Sequence, residues 1–163
     1  MAHDDFDALF RDLYVPAYRV ALRMLRDRQE AEDAASEALA RTAAAWTRVR
    51  GLEHQRAWVL RVTANVAIDI LRKRRPAQEG DAARGPDGPR DADDRVVLAA
   101  ALRRLPRRQR EVLVLRFLAD MTEAEVAAHL QITRGAVKVH ANRGLDRLRQ
   151  LVAAPMEEVS LAY

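Results

Sequence analysis

Residues 122–149 read TEAEVAAHLQITRGAVKVHANRGLDRLR, and this stretch decides the fold. The spacing predicts two helices joined by a three-residue turn at Gln131-Ile132-Thr133. Thr122 is an N-cap candidate, and Glu125 three residues later completes a capping box. Val126, Ala127 and Leu130 mark one buried face. Ile132 is apolar within the turn, where it can plug the angle between the helices. Thr133 is a second N-cap candidate, because its oxygen can accept an orphan backbone N–H. Val137, Ala141, Leu145 and Leu148 share one face of the second helix. Arg134, Lys138, Asn142 and Arg143 are left pointing outward. A helical hairpin with a solvated basic face would use some of these features. Two N-caps, an apolar turn and a Lys/Asn/Arg face together favour a helix-turn-helix reading a DNA groove.

The rest of the composition agrees with an all-α protein. Of 163 residues, 49% are hydrophobic, 32% charged and only 5% aromatic. Ala, Leu and Arg dominate, and these lead the helix-propensity scale. No apolar run approaches the roughly 20 residues a membrane span needs, so no membrane role is expected. The acidic start MAHDDFDALF lacks a signal-peptide pattern, which points to the cytoplasm. The absence of cysteine excludes disulfides, zinc–thiolate sites and cysteine nucleophiles. His3, His54, His129 and His140 are scattered without metal-ligand spacing, so neither a metal nor another cofactor is expected.

Charge divides the chain further. Residues 1–75 hold 14 Lys+Arg and 11 Asp+Glu, a net +3. Residues 76–94, PAQEGDAARGPDGPRDADD, hold two Arg and six acids, a net −4. Residues 95–163 hold 12 Lys+Arg and seven acids, a net +5. The two ends therefore suit a polyanion and the middle does not. Residues 76–94 have no large apolar side chain and read as an extended linker. The expected architecture is two small helical domains, 1–75 and 95–150, joined by this flexible linker, with a short tail at 151–163.

In the first domain, Phe6, Leu9, Phe10 and Leu13 form one stripe, and Ala17, Ala21, Leu22 and Leu25 a second. Pro16 between them predicts a kink or break. Asp27 is positioned to cap a helix bearing Ala31, Ala34, Ala35, Ala38, Leu39 and Trp46 inward. A further helix is expected from about 56 to 75, with Trp58, Val59, Val62, Val66, Ile70 and Leu71 toward its core. In the second domain, 96–105 and 107–118 are expected helices, and Pro155 is expected to break the tail.

This order of features resembles the extracytoplasmic-function sigma factors of bacterial RNA polymerase. The resemblance rests on the AED acid cluster, the W-x-x-R-x-x-x-N helix ending in basic residues, the linker, LPRRQREVLVLRF, and a helix-turn-helix with G-x-V-K. It covers nearly all of residues 6–150. It implies that Glu30, Asp33 and Glu37, one face of a helix, dock on core RNA polymerase. It implies that Arg56, Arg61, Asn65 and Arg72 meet melted minus-ten DNA, where cations suit phosphate and Asn suits an extruded base. Trp58 could stack on a base, but its spacing fits the core better. The run Arg72-Lys73-Arg74-Arg75 suits the cationic end of a helix, and its length of four favours phosphate contact over that alone.

In the second domain the resemblance assigns the minus-thirty-five element to Arg134, Lys138, Val139, His140, Asn142 and Arg143. It offers Arg103, Arg104, Arg107, Arg108 and Arg110 for phosphate contacts. The acidic linker would thread toward the polymerase cleft or act as a tether. Promoter DNA and core polymerase are thus implied partners, an anti-sigma factor is a further one, and no catalysis is implied. Gln131 stands where relatives often have Gly or Asn. Ala136 and Val139 replace a frequent Thr and Ser, which removes two hydroxyl contacts. The alternative is a helix-turn-helix regulator that binds duplex DNA without acting as a sigma factor; such a protein would not need the acid cluster followed by a basic, Asn-bearing helix.

Overall fold

The computed structural model describes residues 2–74 and 89–160, with side chains described for 6–74 and 93–153. Every regular element among them is helical: α1 Ala2–Leu25, α2 Arg28–Ala44, α3 Trp46–Val49, α4 Gln55–Lys73, α5 Pro89–Arg104, α6 Arg107–Leu113, a π-helical turn Val114–Leu118, α7 Glu123–Leu130 and α8 Arg134–Ser160.

The first domain packs α1, α2 and α4 against one another. Ala31, Ala34, Ala35 and Ala38 leave no accessible surface on α2, so the helix backbones approach closely. Leu25, Leu39, Leu60 and Ile68 fill the space between them. Each such side chain contributes about 1.5–3 kcal/mol by leaving water. Asp27 caps α2 by accepting from the Glu30 N–H at 2.9 Å, as expected. Thr42 and Thr63 are buried but satisfied, each hydroxyl donating to the carbonyl one turn back, at 2.7 and 2.9 Å.

Three expectations need correction. α1 continues through Pro16, so the break offered as one expectation there does not occur. The ring removes one hydrogen bond, to the carbonyl of residue 12, and Asp12 is exposed to water that can replace it. α5 begins at Pro89, so residues 89–94, read as linker, are helical. Proline suits a first turn because its missing N–H would have no partner there, and Asp93 and Asp94 follow near the positive end of the dipole. Residues 76–88 of the expected linker lie outside the described residues. Likewise α8 continues to Ser160 and is not broken at Pro155.

The two domains are not beads on a string. α5 and the π-helical turn lie against α4, and one apolar cluster runs from Leu13 and Ile68 through Leu102 and Leu105 to Val114 and Val137. Trp58, Val62 and Ile70, expected in the first domain's core, are only partly buried, and Trp58 and Val62 line clefts shared with residues of the second domain.

Candidate nucleic-acid interface

The helix-turn-helix is built from local hydrogen bonds the residue types dictate. The Thr122 hydroxyl accepts from the Glu125 N–H at 3.2 Å, while the Glu125 carboxylate accepts from the Thr122 N–H at 2.7 Å. Hydrogen bonds from the Thr122 backbone and hydroxyl hold the Glu125 carboxyl below its ordinary range. α7 ends with Gln131 in the left-handed region, φ 55° and ψ 46°. The Gln131 N–H donates to Ala128 O at 3.3 Å and the Ile132 N–H to Ala127 O at 3.0 Å. That is a Schellman closure, with Ile132 packed on the core as its apolar contact. The turn therefore demands a positive φ at a residue that is not glycine. Thr133 then caps α8, its hydroxyl accepting from the Ala136 N–H at 3.1 Å.

At about 100° per residue, Val137, Ala141, Leu145 and Leu148 form the inner stripe of α8. Val139 and Arg143 stand opposite it, Lys138 and Asn142 on one flank, His140 on the other. Exposure follows this geometry: Arg134, Lys138, Val139, Asn142 and Arg143 are exposed, and His140 is partly buried. Lys138 leans on Glu123 across the turn at 3.8 Å, an exposed and weak pair. Gly144 lies on the buried side; a Cβ there would meet Leu113 at 3.1 Å, so α8 and α6 approach at this point.

The same helical arithmetic sorts α4. Arg61, Asn65, Asp69 and Arg72 form one row facing away from the first domain's core. Arg56 lies about half a turn round from that row, and its charge acts on Glu125 of α7. The structure brings Arg61, Asn65 and Arg72 together and leaves Arg56 apart. Arg72 and Lys73 are exposed. Arg74 is committed elsewhere: it pairs with Glu30 and donates to Leu25 O at 3.4 Å. It thus locks the end of α4 to the start of α2. Arg75 lies outside the described residues.

Glu30 is partly buried by that pair, whereas Asp33 and Glu37 are exposed one and two turns along α2. Arg41 donates to Glu37 at 2.8 Å and Gln29 to Asp33 at 3.3 Å. The exposed acid face expected for docking is therefore carried by Asp33 and Glu37, with Glu30 at its structural edge.

Sequence reasoning missed the residue around which the domains meet. Glu111 of α6 is buried, and its carboxylate takes Arg61 Nη1 at 2.8 Å, Arg107 Nε at 3.0 Å and Arg108 Nη1 at 3.2 Å. Burial works to raise its pKa, but the Arg107 hydrogen bond and the charges of Arg61, Arg107 and Arg108 prevail and hold the carboxyl below its ordinary value. A single acid in RRLPRRQRE was the available signal. Arg103 pairs with Asp69 of α4 at 3.1 Å, and Arg110 donates to Arg103 O at 3.2 Å. Much of the expected phosphate-contact cluster is therefore engaged at the domain boundary. Further pairs close the edges: Arg23 of α1 reaches Asp120 at 2.5 Å, and the His54 and His129 rings meet edge to face at 6.3 Å.

These features define a two-domain helical DNA-binding protein. Comparison with known proteins places it more narrowly. Residues 9–77 match the family model described as Sigma-70 region 2, and residues 101–150 match Sigma-70, region 4. The RNA polymerase sigma-E factor of Streptomyces coelicolor is 32% identical, covering 96% of this chain and 92% of the relative. The ECF RNA polymerase sigma factor SigW of Bacillus subtilis is 30% identical, covering 82% of this chain and 81% of the relative. The solved structure of CnrH in complex with the cytosolic domain of CnrY is 26% identical, with a TM-score of 0.51, covering 93% of this chain and 90% of that one.

The chain belongs to the extracytoplasmic-function family of RNA polymerase sigma factors. It is a sigma factor that directs transcription initiation, with core RNA polymerase and promoter DNA as partners. The alternative of a regulator without sigma function is not favoured, since region 2 is matched as fully as the helix-turn-helix.

Proposed function

We propose that this sigma factor grips its promoter at two places and its polymerase at a third. α8 enters the major groove of the minus-thirty-five element with Val139 and Arg143 foremost, Lys138 and Asn142 on one flank and His140 on the other, while Arg134 meets phosphate at the helix start. The α4 row captures the melted minus-ten strand, Arg61 and Arg72 on phosphate and Asn65 on an extruded base. Asp33 and Glu37 dock on core polymerase. The observation that carries this reading is that one chain carries polar, cation-bearing rows on two separate helices, α4 and α8. It acts in the cytoplasm with the polymerase and performs no catalysis of its own. Its relative CnrH binds the cytosolic domain of another protein, and an anti-sigma partner of this chain would act in the same manner.

The test is run-off transcription from genomic fragments with purified core polymerase and the whole chain. Specific initiation is expected only when both are present. Duplex binding by the chain without any initiation would sink the reading. Asn65→Ala should impair promoter opening, read by permanganate reactivity of unpaired thymines, while core binding persists; equal loss of both would remove Asn65 from its role.

A further inference from the structure

A cleft of about 380 Å³ opens where α7 meets the loop before α4. That volume falls within the range of small-molecule sites. Its walls carry cations. Arg48 of α3, Arg61 of α4 and Arg108 of α6 reach it, and the His54 and His129 rings, set edge to face, line it too. Glu53, the one acid among the described lining residues, is 89% exposed and lies 3.9 Å from His54. Glu111 does not exhaust the arginines. Arg61 and Arg108 each give Nη1 to it, at 2.8 and 3.2 Å, and a guanidinium has five N–H donors, so others remain. Burial, then the positive charges of Arg61, His54 and Arg108, hold the His129 imidazole down to about 4 against the charge of Glu111. A further cation is therefore disfavoured in the cleft and an anion is favoured. Leu52, Leu130 and the Trp58 ring supply its apolar part. Arg48 stands over that ring at 6.0 Å from the centroid, beyond the roughly 3.5–4.0 Å of close contact, so it does not close the ring off.

We propose that this cleft binds a nucleoside polyphosphate, with its phosphates on Arg48, Arg61 and Arg108 and its base against Trp58. Three arginines around one cleft suit a ligand with several negative charges, which a chain of phosphates carries and a single carboxylate does not. A planar base suits the rest, because it stacks on an aromatic face and packs on leucine. Of the residues named, Arg61 alone belongs to a row proposed to meet DNA, and the site does not depend on how α4 meets a melted strand. The walls come from both domains, so a bound nucleotide stabilises the folded chain as its concentration rises.

The test is equilibrium dialysis of radiolabelled GTP and ATP against the whole chain, in magnesium-free buffer at physiological ionic strength. Saturable binding at one site is expected for at least one of them, with a Kd of about 100 μM or tighter. Arg48→Gln and Arg108→Gln should each weaken it about five-fold, with circular dichroism still helical. Arg19→Gln and Arg147→Gln remove exposed cations elsewhere and should leave it unchanged. Equal weakening by all four would reveal a general attraction of anions to a basic chain and would overturn the site, as would the lack of any saturable binding. Guanosine alone and inorganic triphosphate alone should each bind about ten-fold more weakly than GTP. Triphosphate binding as tightly as GTP would refute the place given to the base. In the native chain GTP should raise Tm progressively. Trp46→Phe leaves Trp58 as the sole tryptophan, and its fluorescence should be quenched as GTP binds. Binding by dialysis without that quenching would put the ligand elsewhere and sink the assignment.

Discussion

Glu111→Gln keeps the shape of the side chain and removes the charge that three arginines share. Arg107 and Arg108 are 76% and 49% exposed, so water recovers part of what they lose and each of their pairs contributes less than that of Arg61. Arg61 is different, with its side chain 20% exposed and Glu111 only 7%. A charge-assisted hydrogen bond between two such groups contributes about 1.5–3 kcal/mol. The substitution should therefore cost about 2 kcal/mol, which for a chain of this length lowers Tm by about 4–8 °C. Thermal melting followed at 222 nm, with Arg61→Gln and the double variant, closes a mutant cycle whose coupling should be about 1–2 kcal/mol. The pH dependence follows from the sign of the shift. The folded carboxyl sits below its ordinary 4.5, so the pair stabilises the fold above that pH and is lost as pH falls through the folded value. The deficit of Glu111→Gln should accordingly shrink in acid. An unchanged Tm at pH 7, or a cycle with no coupling, would show that α4 and α6 are not joined through this pair.

Other expectations follow from individual residues. Gln131→Gly should raise stability by about 0.5–1 kcal/mol, because the left-handed φ of 55° penalises a side chain more than glycine's added unfolded-state freedom costs; a lower Tm would contradict the strain. Burial, then the charges of Arg61, His54 and Arg108, push His129 down to about 4 from 6.5, against the opposing charge of Glu111. Protons then bind the unfolded chain more readily, so stability should fall as pH drops from 6.5 to about 4, by at most about 3 kcal/mol and less for its partial exposure. His129→Gln should flatten that slope in urea titrations across pH. Arg143→Ala and Lys138→Ala should each weaken binding of polymerase holoenzyme to a minus-thirty-five duplex by about 1–3 kcal/mol if they reach base edges. Uniform weakening across all duplex sequences would place them on phosphate instead.

The helix-turn-helix was legible in the sequence because its determinants are local. Thr122, Glu125, Thr133 and Ile132 act within a few residues of their partners, and the structure finds each in its expected bond or contact. Pro16 and Pro155, read as helix breaks, misled for the converse reason. A proline's local cost is fixed, but whether a helix survives it depends on the length and packing of the segment on either side. The contact between domains was invisible. Glu111 and Arg61 are 50 positions apart, and Arg23 and Asp120 lie further still. No periodicity encodes such a pairing. The arginines at 103, 107 and 108 were visible as cations but not as cations already paired, so their partners had to be seen. On α4, the row of Arg61, Asn65 and Arg72 is readable from helical spacing alone, and Arg56 falls off it by the same arithmetic.

The π-helical turn at Val114–Leu118 sets a phase. Widening one turn by a residue rotates everything downstream by about 100° relative to an uninterrupted α-helix. Val114 and Leu115 are both buried there, while Phe117 faces water. The turn also stands between α6, which holds Glu111, and the helices that carry the DNA-reading surface. Deleting one apolar residue to make the segment regular would leave every charged side chain in the protein. It would nonetheless swing Val139 and Arg143 away from their bearing on α6, against which α8 packs. The bearing of the DNA-reading helix within the second domain is thus written partly in the pitch of a single turn of backbone.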